Sequence, residues 1–147
     1  MKLKAKISDI TQADLVELLS TALYSSSWLG CNLDYNYPGV KKEDGDCYEE
    51  LVAKVLLAGY PVEFFDMYGT DEHDDNGSKL PHYFNDERRC VCYSVTIADI
   101  YKGLEKMMQD KHYCRYVVEL MDSDDGDFDQ PQAECIMQFI LWSEVIY

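Results

Sequence analysis

Three acidic runs hold the densest chemistry in this sequence: Asp122, Asp124, Asp125, Asp127 and Asp129; Asp71, Glu72, Asp74 and Asp75; and Glu43, Asp44 and Asp46. Clustered carboxylates can bind a cation, exchange protons or meet a basic surface. A calcium loop of the EF-hand kind fails on register. Counted from Asp122, Asp124 fits the third ligand position, but Gly126 takes the fifth and Ala133 the twelfth, where a bidentate glutamate belongs. His73 stands inside the second run, but His82 and His112 are isolated and no zinc motif is present. Cys90 and Cys92 flank Val91 in an extended stretch and leave one face of it, which suits two small core-facing residues better than a redox or metal pair. There is no Gly-x-Ser-x-Gly turn, no cysteine in a protease context and no phosphate-cradling glycine loop. With so many Asp and Glu residues, a pair of carboxylates is no sign of general acid and base catalysis. A non-catalytic protein with no metal and no cofactor is expected.

Charge narrows the partners. The chain has 13 Lys plus Arg against 28 Asp plus Glu, a formal charge of −15 and a pI near 4.3. It repels phosphates and anionic lipid, so neither direct nucleic-acid binding nor a membrane role is expected, and basic proteins are the favoured partners. The plainer role for such acidity is solubility. The opening MKLKAKISDI is basic but lacks an apolar core and cleavage site, and no stretch reaches membrane-spanning length, so a cytoplasmic location in a host cell is expected. The six cysteines are scattered and read as reduced.

The elements that must position these groups are legible from periodicity. With 147 residues and 47% hydrophobic content, one domain over 1–147 can bury a core. Its centre is Glu49 to Met67, where a helix bearing Leu51, Val52, Val55 and Leu56 stops at Gly59, and Pro61 starts an alternating strand. Lys2 to Ile7 reads as a short edge strand with lysines outward. Thr11 with Asp14 and Thr96 with Asp99 are helix caps, and Ile10 can pack on Leu15. Trp28 to Gly39 is an aromatic loop with room for a short strand, and Pro81–Phe84 and Arg89–Val95 can pair through the turn between them. Residues 113–121 fit helix or strand spacing, with helix favoured. Asp129 and Pro131 open a last helix that is apolar on most sides. The expected fold class is α+β, four or five helices around a small antiparallel sheet, with Leu51, Val55, Phe64, Ile100, Leu104, Ile136 and Ile140 in the core.

Four segments, ITQADLVELLSTAL, VLLAGYPVEFFD, TIADIYKGLEKM and AECIMQFILWSEVIY, together resemble a group of small acidic proteins encoded by prophages and mobile elements of Gram-positive bacteria. The chain departs from that pattern at Gly59-Tyr60, where a second glycine is usual, and at Trp142-Ser143, where Phe-Gly is. The resemblance implies a phage context, in which small acidic proteins often interfere with host defence, and carries over no catalytic residue.

The leading expectation is a DNA mimic of the anti-CRISPR kind. Its carboxylate runs would occupy the nucleic-acid site of a basic host protein, such as a CRISPR effector nuclease, and folding would have to bring at least two runs onto one face. The alternative is a phage sponge or pocket protein for a small nucleotide signal. It would use Trp28 to Tyr37 as a pocket wall and Lys41, Lys42, Arg88, Arg89 or Arg115 as phosphate donors.

Overall fold

Thr11 and Thr96 open two helices by the same chemistry, ahead of α1 (Gln12–Ser25) and α3 (Ile97–Met108). Each threonine hydroxyl accepts the amide of an aspartate three residues on, and that aspartate accepts the threonine amide in return. Asp129 makes the same reciprocal arrangement with Gln132 at the start of α5 (Gln130–Trp142), where Pro131 needs no amide donor. The chain is seen in a computed structural model that describes residues 10–33, 36–43, 45–69, 75–121 and 128–147. Its other elements are β1 (Leu29–Asn32), α2 (Tyr48–Leu57), β2 (Val62–Asp66), β3 (His82–Asn85), β4 (Cys90–Val95) and α4 (Cys114–Met121). The expected strand at Lys2 to Ile7 lies outside the described residues.

The strands form an antiparallel sheet in the order β1-β2-β4-β3, so the fold is α+β. The helix-to-strand unit expected at the centre is there. Gly59 takes φ +94, a conformation that suits glycine, and the chain turns from α2 into β2, which pairs with both β1 and β4. Residues 114–121 are helical: Val117 and Leu120 point into the core at helical spacing.

The sheet has two unlike faces. Val62, Phe64, Val91, Tyr93 and Val95 join the buried helix residues, including Leu15, Leu19, Leu104, Ile136 and Met137, in one core. Phe65, Cys90 and Cys92 point the other way and form a small separate cluster. The two cysteines are the small buried core residues expected, and they belong to this second, smaller cluster and not to the main one. They lie on the face the helices do not cover, because the pleat that turns Val91 inward turns both its neighbours outward. Leu51 departs from expectation. The buried stripe of α2 runs through Val52, Val55 and Leu56, which leaves Leu51 half-buried at its margin.

α5 packs against α1, α3 and α4 and is buried from Ile136 to Trp142. Gly103 allows its close approach to α3: a Cβ there would lie 2.7 Å from the Cα of Ile140. Among the described residues no helix is long and apolar enough to cross a membrane.

Candidate functional site

Of the twelve carboxylates expected to meet a partner, four are described: Glu43, Asp46, Asp75 and Asp129. Asp44, Asp71, Glu72, Asp74, Asp122, Asp124, Asp125 and Asp127 lie outside the described residues, as do His73 and Tyr35. Each described aspartate is held by its surroundings. Asp46 accepts the amide of Glu43 at 2.9 Å and pairs with Lys54 at 2.6 Å. The Lys54 ammonium, and then the Glu43 amide, hold the Asp46 carboxyl below its ordinary value, while Asp46 raises Lys54 in return. Asp75 accepts the Gly77 amide at 2.9 Å and meets His82 Nε2 at 2.6 Å. Asp129 is the α5 cap, and Glu43 is exposed.

These anchors stand at separate places. The main-chain oxygen of Asp75 accepts the Tyr93 hydroxyl, which in turn accepts the Trp142 indole N–H, so Asp75 sits beside the C-terminal end of α5. Asp129 sits at the other end, about 20 Å away by the rise of a 13-residue helix. Glu43 and Asp46 precede α2. Asp75 and Asp129, the described members of the two longer runs, therefore stand at opposite ends of α5.

The aromatic Trp28–Tyr37 stretch divides. Trp28 is buried against Trp142, with ring centres 5.5 Å apart, and is core, not a pocket wall. Tyr37 instead stands at a shallow depression of about 590 Å³ beside the outer sheet face, with Tyr60, Tyr83 and Arg88. There the Tyr83 hydroxyl donates to Glu63 at 2.6 Å, and the Arg88 guanidinium lies 4.8 Å over the Phe65 ring, so the one cation of that wall already has a partner. Cys92, buried below, has its thiol pushed up to about 12 by burial, and burial raises Cys90 as well, so neither supplies a thiolate near neutral pH.

Asp66 is a buried carboxylate whose surroundings sequence reasoning missed. It ends β2 facing inward, fully buried, and accepts the Tyr68 amide at 2.9 Å and the Tyr147 hydroxyl at 2.6 Å. Gln138, also buried, accepts the amides of Ile146 and Tyr147, both at 2.7 Å, and folds the segment after α5 back onto Trp28 and Trp142. The signal was an acid at the inward position of a strand that also buries Val62 and Phe64. Enclosed and hydrogen-bonded, it ties the sheet to the chain after α5. Among the described residues no group of three or more His, Cys, Asp or Glu side chains is placed to hold a metal ion.

No family model matches the chain, no curated protein is significantly similar to it, and no solved structure matches its fold.

Proposed function

We propose that this protein is a non-catalytic binder that presents fixed carboxylates to a basic host protein and blocks that partner's nucleic-acid site. The observation that supports it is uncompensated charge on an ordered domain. Against a formal charge of −15, the described residues hold only two ion pairs, Asp46 with Lys54 and Asp75 with His82, and the second needs a protonated imidazole. Among the described residues, most carboxylates therefore make no ion pair with a described cation. A groove lined with Lys and Arg for a polyanion will accept carboxylates at fixed positions, and caps and turns fix Asp75 and Asp129. A defence nuclease such as a CRISPR effector is the partner class that the phage-type resemblance favours.

The test is competition. The protein and DNA should exclude each other from the captured partner, and affinity should fall at least roughly tenfold between about 50 and 200 mM salt. Converting Asp122, Asp124, Asp125, Asp127 and Asp129 to Asn should abolish inhibition without unfolding, since Asn at position 129 still caps α5. Full inhibition by that variant at physiological salt would show that charge mimicry is not the mechanism.

A further inference from the structure

Cations are scarce in this chain, yet three of its 13 Lys and Arg residues line a single cleft of about 300 Å³. Lys102 and Lys106 are four apart on α3 and so share a face. Lys79 comes from the segment before β3, which is pinned to the end of α5 where the Ser78 hydroxyl donates to the Leu141 carbonyl at 2.7 Å. Ile140, Leu141 and Trp142 of α5 line its other side, and the close α3–α5 approach at Gly103 shapes it.

We propose that this cleft binds a small organic phosphate, the phosphate held by the three ammonium groups and the body resting on the Trp142 side. The site has a local charge of +2, from three lysines and the one lining carboxylate, Asp99, in a chain of −15. Asp99 is turned to the α3 cap, where one of its oxygens accepts both the amide and the hydroxyl of Thr96 at 2.9 Å. The lysines are not consumed by the helix end beside them. The Phe139 and Leu141 carbonyls have donors in the Ser143 amide and Ser78 hydroxyl, and Lys106 reaches only the Ser143 hydroxyl, at 3.0 Å. Among the described residues Lys79 and Lys102 have no ion-pair partner. Three point charges from two segments suit a compact dianion better than a carboxylate, which one or two donors satisfy. The volume lies at the lower limit for ligand sites and fits a phosphate ester of sugar size.

This inference is independent of the inhibitor reading. Calorimetry of the full chain with glycerol phosphate, glucose 6-phosphate, inorganic phosphate and citrate tests it, alongside thermal unfolding of each variant without ligand. A saturable heat with a phosphate ester should weaken about tenfold or more in Lys102→Ala/Lys106→Ala, while Lys41→Ala/Lys42→Ala binds as the parent does. The unliganded melting point of the cleft variant should stay near that of the parent; if it does not, Lys102→Gln alone serves as the readout. Absence of saturable heat with either ester, or equal binding by the cleft variants, overturns the site. Citrate or inorganic phosphate binding as tightly as the esters overturns the organic-phosphate assignment.

Discussion

Asp46 and Lys54 show how a carboxylate in an acidic chain can be committed to the fold. The pair is 2.6 Å long, and each partner favours the other's charged form. Asp46 titrates below its unfolded value, so its contribution is present above that value and is lost as the pH falls through the folded one. Lys54 titrates above its unfolded value, so its contribution is present below that value and is lost as the pH rises through the folded one. The pair therefore acts across the neutral range and fades at both ends. Replacing Lys54 by Met should lower the melting point near pH 7, and the gap from the parent should close as the pH drops towards about 2. A gap that persists undiminished in acid would mean that Lys54 acts through packing of its stem.

At the scale of elements, the α3–α5 contact positions the most. Gly103 faces Ile140 with no room for a side chain, and both line the lysine cleft. Gly103→Ala sets two effects against each other. Helix propensity gains about 1 kcal/mol, whereas a Cβ 2.7 Å from the Cα of Ile140 forces the helices apart, at a cost of about 1–3 kcal/mol. Overpacking should win, because the obstructing atoms include backbone that cannot rotate away. Urea denaturation should show a lower midpoint for the variant; an unchanged or higher one would mean that the contact is looser than it looks. Elsewhere, sequence alone foretold the elements well where a local rule applied. The Thr11, Thr96 and Asp129 caps, the Gly59 turn and the β3–β4 hairpin all rest on neighbours a few residues apart.

For the whole molecule, the dominant fact is self-repulsion. A charge of −15 on 147 residues, with two ion pairs among the described residues, should make stability depend on screening. Raising monovalent salt from about 10 to 150 mM shortens the screening length from about 30 to 8 Å, and the melting point at neutral pH should rise. A midpoint insensitive to salt would mean that the acids are neutralised locally, and would weaken the inhibitor reading along with it. Net charge, fold class, helix caps and most core positions could be read from the sequence because each depends on composition or on short-range spacing. The place of Leu51 at the margin, and the separate small cluster that Cys90 and Cys92 join, could not be read so, since periodicity tells which residues share a face but not where that face lies against its neighbours. Nor could the meeting of Lys79 with Lys102 and Lys106, or of Asp66 with Tyr147, 81 residues away. Those contacts exist only because the packing of α5 on α3, and the return of the chain over Trp28, bring distant segments together.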